Sequence, residues 1–205
     1  MESDQISVDG KSVRPKSTIA ILLNKPAGVV TTRSDELGRR TVYDLIGEPG
    51  EWVFPVGRLD KDTTGLLIMT NDHRLGNRLT DPDSRVEKVY HAGLDRRMAD
   101  DEIAQLESGY ALDGIKLRPV GISRLDGTRL KFVLTEGKNR QIRRMCEAFG
   151  YRVVSLERVA IGPLKISGLA AGEWRNLTGR ELAALSGAGQ ANGARDKRAG
   201  SKRRP

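Results

Sequence analysis

The sequence predicts an α+β fold built on a mixed, largely antiparallel sheet flanked by helices, and three observations carry this. Short aliphatic and β-branched runs recur between turn residues, at Thr18 to Leu23, Trp52 to Val56, Leu66 to Thr70, Val86 to Leu94 and Arg152 to Ile161. Asp126-Gly127, a strong hairpin dipeptide, joins two further runs, Lys116 to Leu125 and Thr128 to Thr135, so antiparallel pairing is expected there. Lys138 to Phe149 spaces Ile142, Met145, Cys146 and Phe149 at i, i+3, i+4 and i+7, the clearest helical period in the chain.

The elements follow in order. Thr18 to Leu23 ends at Asn24-Lys25-Pro26-Ala27-Gly28, where Pro and Gly enforce a turn. A polar loop over residues 31–40 carries Arg33, Arg39 and Arg40, and Thr41 then caps a short helix that runs through Ile46. The connection between the runs at 52–56 and 66–70 holds Asp60. Asp72 caps a helix bearing Leu75 and Leu79, which stops at Asp81-Pro82. Period two along the next strand puts Val86, Lys88, Tyr90 and Ala92 on one face and Glu87, Val89 and His91 on the other. Ala99 to Leu106 reads as a helix, and Glu181 to Leu185 as a short closing one. On the helix over 138–149, Arg140, Arg143 and Arg144 are expected on a shared flank, away from the apolar stripe.

Composition bounds the function. With 205 residues and 38% hydrophobic content the chain can build a core without staples. The single cysteine, Cys146, excludes an intrachain disulfide and any multi-cysteine metal cluster, which fits a reducing compartment. Neither a long apolar run nor an N-terminal signal segment stands out, so the expected location is cytoplasmic, with no membrane partner. The net charge of +8 suggests a polyanion as partner. Much of it sits in residues 187–205, where six basic residues face Asp196 alone and no large apolar side chain occurs. That segment reads as a disordered basic tail, serving either as a solubilising terminus or as a loose RNA-binding arm.

Gly57-Arg58-Leu59-Asp60-Lys61-Asp62-Thr63-Thr64-Gly65-Leu66-Leu67 is the most informative run, because a carboxylate at the edge of an apolar strand is poorly solvated unless something uses its charge. As a turn cap, Asp60 needs only a nearby backbone N–H, which leaves Arg58 without a purpose. As a calcium ligand it begins an EF-hand imitation, but the twelfth position is Asn71 and strands flank the loop. As a nucleophile it fits the D-x-D-x-T pattern of magnesium-dependent aspartate phosphohydrolases. Such enzymes need a continuous strand before the acid and a later acidic pair, whereas Gly57-Arg58-Leu59 breaks the strand and Asp100-Asp101 begins a helix. Tyr90 is either half-buried packing or a platform for a nucleobase. The basic run from Glu136 to Met145 opens on a Gly turn and suits phosphate contacts.

Together these segments resemble the RsuA-type pseudouridine synthases, which modify uridines in ribosomal RNA. Leu23 to Gly28 is similar to the family's first motif, Gly57 to Leu66 with Thr70-Asn71-Asp72 to its catalytic motif, and Glu87 to Tyr90 and Glu136 to Met145 to its later ones. Gly172 to Arg175 and Leu177-Thr178 resemble its closing segment. The resemblance spans about residues 18 to 185 and implies the pseudouridine synthase fold, with a catalytic domain over 17–186. It implies that Asp60 forms a covalent adduct with the target nucleotide, through the anomeric carbon, a glycal or ring carbon six, and that no metal, redox cofactor or ATP is required. Tyr90 would stack on the extruded base and assist proton removal, Ile142 would pack on its other side, and Arg143 would pair with Asp60. Arg58 would brace the vacated helix position, and Lys88, Arg140, Arg144, Arg33, Arg39 and Arg40 would bind RNA. The implied partner is ribosomal RNA or a ribosome assembly intermediate, with a monomer favoured and large-subunit RNA weakly preferred. Two alternatives remain open on the residues alone: the magnesium phosphohydrolase and a non-catalytic RNA-binding domain. The sequence departs from the family at its front, where only Gln5 to Lys11 resembles the last strand of the usual RNA-binding module, so residues 1–16 read as a remnant or linker. His73 stands where the family often has glycine.

If the basic tail is an RNA-binding arm, deleting residues 187–205 should flatten the salt dependence of RNA binding, since each phosphate contact contributes to that slope. Filter-binding titrations at several salt concentrations measure it, and an unchanged slope would make the tail inert.

Overall fold

The computed structural model describes residues 6–8, 11–13, 18–47, 49–109, 111–112, 114–118 and 120–187. The expected tail beyond Gly187 and the rest of the 1–16 segment lie outside the described residues. Within that segment β1 (Ile6–Val8) and β2 (Lys11–Val13) pair antiparallel in a sheet of their own.

The main sheet comprises nine strands among the described residues. It begins with β3 (Ala20–Lys25), followed by α1 (Tyr43–Ile46), β4 (Phe54–Pro55), β5 (Thr64–Thr70), α2 (His73–Thr80), β6 (Lys88–Leu94) and α3 (Asp100–Glu107). A separate small hairpin, β7 (Ala111–Leu112) and β8 (Ile115–Lys116), precedes β9 (Gly121–Arg124) and β10 (Arg129–Leu134). Then come α4 (Gln141–Ala148), β11 (Val153–Ile161), β12 (Leu164–Lys165), β13 (Trp174–Asn176) and α5 (Gly179–Leu185). The strand order is β13-β3-β5-β11-β6-β10-β9, with β4 beside β5 and β12 beside β11, and only β5 and β11 run parallel. The mixed, largely antiparallel α+β architecture expected from the sequence is therefore observed.

The central strands are apolar on both faces because helices cover both. Ile21 and Leu23 of β3 and Leu67 and Met69 of β5 join the larger core with α1, α3 and α4. The alternate residues Ala20, Leu22, Leu66 and Ile68 join a second core with Leu75 and Leu79 of α2 and Leu185 of α5. A strand buried on both sides reads as a continuous apolar run, and Leu66 to Met69 is one.

Local chemistry sets the element ends. The Asp72 carboxylate accepts from the Arg74 and Leu75 amides and starts α2. Thr41 and Asp44 exchange side-chain bonds that start α1, although the first helical residue is Tyr43. Thr178 and Glu181 form a capping box on α5, and Arg175 holds the Glu181 carboxyl at about 2.

Three expectations are corrected. The strand expected over 52–56 shrinks to Phe54–Pro55 and leaves Trp52 half exposed, since Pro55 has no N–H to extend a ladder. The run 116–125 splits between two ladders, because the Arg118 amide is drawn to Glu136 and its guanidinium to Asp83. The helix expected from Lys138 begins at Gln141, since Arg140 is left-handed at φ 49°. Arg143 is not on a shared arginine flank but buried, 8% exposed, on the inner side of α4.

One glycine is required by packing. Gly65 has φ +101°, and a Cβ there would collide with the backbone of Arg158 on β11. The parallel contact pairs Gly65 with Arg158, so the two backbones meet where a side chain would stand. Gly28 is also left-handed, at φ +84°, but has nothing within 4 Å of a Cβ position. Gly28→Ala should therefore cost about 1–2 kcal/mol of stability, the backbone penalty alone. Gly65→Ala should lose at least twice as much in urea unfolding. Equal losses would show that the close approach carries no weight.

Candidate active site

Asp60 lies on the loop between β4 and β5, and that loop is held from two sides. From the β3 side, Lys25 Nζ donates to the carbonyls of Pro26 (2.9 Å), Lys61 (3.2 Å) and Thr63 (2.8 Å). The Gly28 amide donates to the Lys61 carbonyl at 2.9 Å. Thr31 Oγ1 donates to the Leu59 carbonyl (2.8 Å) and accepts from the Leu59 amide (3.2 Å). From the opposite side, Arg143 Nη2 donates to the Asp62 carbonyl at 3.2 Å, while its Nη1 donates to the Val153 carbonyl at 2.9 Å. Lys25 is fully buried, and that burial pulls its ammonium down to about 8 against the opposing attraction of Asp62 and Asp60.

The carboxylate so placed faces a cavity of about 400 Å³, within the range of small-molecule sites, roughly 300–1,000 Å³. Its walls come from the Asp60 loop, the end of α2, the start of β6, the turn before α4 and the end of β11. The cavity brings together Arg58, Asp60, Lys88, Tyr90, Arg140 and Ile142, all expected from the sequence as site residues. Asp60 Oδ2 pairs with Arg140 Nη1 at 3.6 Å, both side chains being partly exposed. Arg143, the expected partner, instead donates Nη1 and Nη2 to the two backbone carbonyls, with its buried Nε unpartnered. It supports the loop from behind.

Other expected residues lie elsewhere. Arg144, half-buried on α4, does not line the cavity. Arg33, Arg39 and Arg40 are exposed on the 31–40 loop, which borders a second hollow shared with Arg58 and Asp60. Arg39 is committed to that loop's shape. Its side chain and amide bond Asp35 and hold that carboxyl at about 2. His73 stacks on Phe54 with centroids 4.5 Å apart, a packing role. Cys146 is buried in the core, which raises its thiol to about 12 and leaves it unsuited to nucleophilic work.

Two contributors are not among the expected site residues. Lys25 belongs to a turn and to the first motif, but nothing in a Lys-Pro pair signals a buried ammonium. Arg158 lies inside the strand expected over 152–161, two residues from Leu156 and Ala160 on their buried face, and a charge on an apolar period-two face is a detectable signal.

The arrangement has the parts for chemistry on an anionic, ring-bearing substrate: one carboxylate partly open to solvent, a phenol and an aliphatic side chain around a cavity with five cations against two acids. The phosphohydrolase pattern is not realised, since Asp62 is exposed and outside the cavity and Asp100 is tied to Arg124. The profile of the RNA pseudouridylate synthase family matches residues 19–148. A protein of Aquifex aeolicus (strain VF5) described as an uncharacterized RNA pseudouridine synthase is 40% identical over 190 residues, which cover 90% of this chain and 76% of that one. Ribosomal large subunit pseudouridine synthase B of Bacillus subtilis (strain 168) is 36% identical over 189 residues, 89% of this chain and 78% of the relative. A crystal structure of a pseudouridylate synthase superposes with a TM-score of 0.78 at 32% identity, over 83% of this chain and 75% of that one. The chain belongs to the RNA pseudouridylate synthase family, and the resemblance drawn from its motifs holds.

The buried lysine generates a stability prediction. A base whose protonation is disfavoured in the folded state takes up more protons when unfolded, so stability rises with pH between about 8 and the ordinary lysine value of 10.5. Lys25→Met should lower stability at pH 7, by leaving three carbonyls without their donor, and should lose that rise. Urea unfolding across pH 7 to 10.5 checks both, and parallel curves for the two proteins would show that Lys25 does not titrate there.

Proposed function

We propose that this RNA pseudouridine synthase isomerises a uridine of ribosomal RNA, with Asp60 as the carboxylate that engages the nucleotide. One observation carries the reading: Asp60, Tyr90 and Ile142 line a single cavity, and all three fall within the segment that matches the family. The reaction breaks the C1′–N1 bond, turns the uracil and joins C5 to C1′, so the ring must leave its stack and rotate in a pocket. Asp60, partly exposed on the cavity wall, is the group assigned to the sugar or base. Tyr90 and Ile142, both buried, offer a ring face and an aliphatic face for the base between them. Arg58, exposed at the mouth, serves the vacated place in the RNA helix, and Arg140 holds the carboxylate until substrate arrives. The carboxylate acts at the anomeric carbon, by assisting glycal formation, or at ring carbon six.

The named activity of the Bacillus subtilis relative supports large-subunit RNA as the substrate, free or in an assembly intermediate. Arg33, Arg39, Arg40 and Arg144 extend the RNA-binding surface, and the chain acts as a monomer in the cytoplasm. No helix among the described residues is long and apolar enough to cross a membrane.

The decisive experiment incubates the protein with ribosomal RNA tritiated at ring carbon five of uridine, in EDTA, and counts release to water. Release abolished by Asp60→Ala is the expected result, and absence of release from any ribosomal RNA or assembly intermediate would sink the proposal. Tyr90 is also a core residue, so its role is tested with Tyr90→Phe, which keeps the packing and deletes only the hydroxyl. Turnover should fall at least ~100-fold, the lower range for a proton-transfer contribution, with the melting temperature nearly unchanged. Full activity in the Phe variant would confine Tyr90 to stacking and packing.

A further inference from the structure

The geometry points to Lys88 and Arg158 as a paired cationic floor that takes up the negative charge developing on the uracil ring when the glycosidic bond breaks. The inference rests on the uridine-isomerising reading and assigns to these two residues the electrostatic work of the step.

Across the antiparallel β6–β11 pair, Arg158 stands opposite Tyr90, and Ile161 opposite Lys88. Opposed residues share a face, and Lys88 lies two residues from Tyr90 on the same strand. Lys88, Tyr90 and Arg158 accordingly line one cavity. Both cations are nearly inaccessible, at 7% and 4% exposure. Among the described residues neither has an acidic partner. Lys88 Nζ makes one long contact, 3.4 Å to the Val86 carbonyl. Arg158 donates Nε to the Leu66 carbonyl at 2.7 Å and Nη1 to the Tyr90 hydroxyl at 3.4 Å, and its Nη2 has no partner at all. The buried carboxylate of the cavity, Glu136, already accepts from the Arg118 amide and from Gln141 Nε2. Burial and the neighbouring guanidinium together push the Lys88 ammonium down.

Two adjacent cations buried without a counter-ion cost stability, and such an arrangement implies an anionic ligand at that spot. Two sources exist in RNA, a phosphate and the base. Phosphates follow the chain and meet the exposed cations at the mouth, Arg58 and Arg140. The floor beside Tyr90 is reached by an extruded base. When C1′–N1 breaks, its electron pair stays with the uracil and spreads over N1, O2 and O4. The same anion then forms the new bond from C5 to C1′, the C5 proton leaves, and N1 takes up a proton, so the ring emerges neutral. Donors fixed in place and shielded from water stabilise that transient charge without reorganising. Because the charge is absent from the bound ground state, the two residues act on the rate and not on RNA affinity.

The test has two arms on the full chain. In the first, uracil, barbiturate and inorganic phosphate are titrated calorimetrically against wild type, Lys88→Met, Arg158→Gln and Arg158→Lys; barbiturate presents a uracil-like ring that is anionic at neutral pH. Wild type should bind barbiturate at least ~10-fold more tightly than uracil, about 1.4 kcal/mol, with the preference lost in Lys88→Met and Arg158→Gln and retained in Arg158→Lys. In the second arm, single-turnover tritium release from RNA should fall at least ~100-fold in Lys88→Met, within the range for losing one such donor, while RNA affinity stays within a factor of three. Arg158 also anchors to Leu66, so melting temperatures accompany every variant, and Lys88→Met decides the question if Arg158→Gln does not fold. No preference in wild type, absence of binding included, or a preference that survives in Lys88→Met, overturns the assignment. Displacement of barbiturate by phosphate would give the floor to a phosphate and overturn it as well. Barbiturate preference without any tritium release would keep the cationic floor and sink the synthase reading instead.

Discussion

The Asp60 loop has its shape imposed from outside. The eight-residue connection between β4 and β5 has one turn bond of its own, from the Thr63 amide to the Asp60 carbonyl, which is too little to direct a side chain. Here Lys25, Gly28, Thr31 and Arg143, from three regions of the chain, donate to the carbonyls of Leu59, Lys61, Asp62 and Thr63. Backbone acceptors that would otherwise be half-satisfied become the means of fixing a reactive carboxylate. The cost is a lysine buried without a full counter-charge, which the protein tolerates because each of the three protons on its ammonium has an oxygen to meet.

That clamp works because the sheet brings β3, β5, β6 and β11 to a common end. The single parallel pairing is the point of greatest constraint. β11 meets β5 at Thr64 and Gly65, immediately after the loop, and only a residue without a side chain admits that approach. The same contact sets Arg158 opposite Tyr90 on the next strand. A glycine in the motif that carries Asp60 therefore also determines where the floor of the cavity lies.

Charge is graded through the site. Arg58 is exposed and Arg140 partly so, Asp60 lies between, and Lys88 and Arg158 are buried. Cations in water attract a polyanion at long range and are screened by salt, whereas buried cations act only on what enters the cavity. The 31–40 loop carries its own charge differently, since the Arg39–Asp35 pair shapes the loop and leaves Arg33 and Arg40 to face solvent.

What could be read without coordinates was the part governed by local chemistry: the hairpin at Asp126-Gly127, the Asp72 cap, the two faces of the Lys88–Ala92 strand, and the motifs that led to Asp60, Tyr90 and Ile142. Period and turn residues act over a few positions, so they survive in one dimension. Arg140 and Arg143 exchanged their expected parts: Arg140, left-handed and outside the helix, meets Asp60, whereas Arg143, about 60° around α4 from Cys146, lies at the edge of the apolar stripe and is packed inward against the Asp62 and Val153 carbonyls. Lys25 and Arg158 acquired their places through partners 36 to 92 positions away, Lys61 and Thr63 for one and Leu66 and Tyr90 for the other. Burial of a charge is decided by what packs around it, and that is settled when the strands assemble.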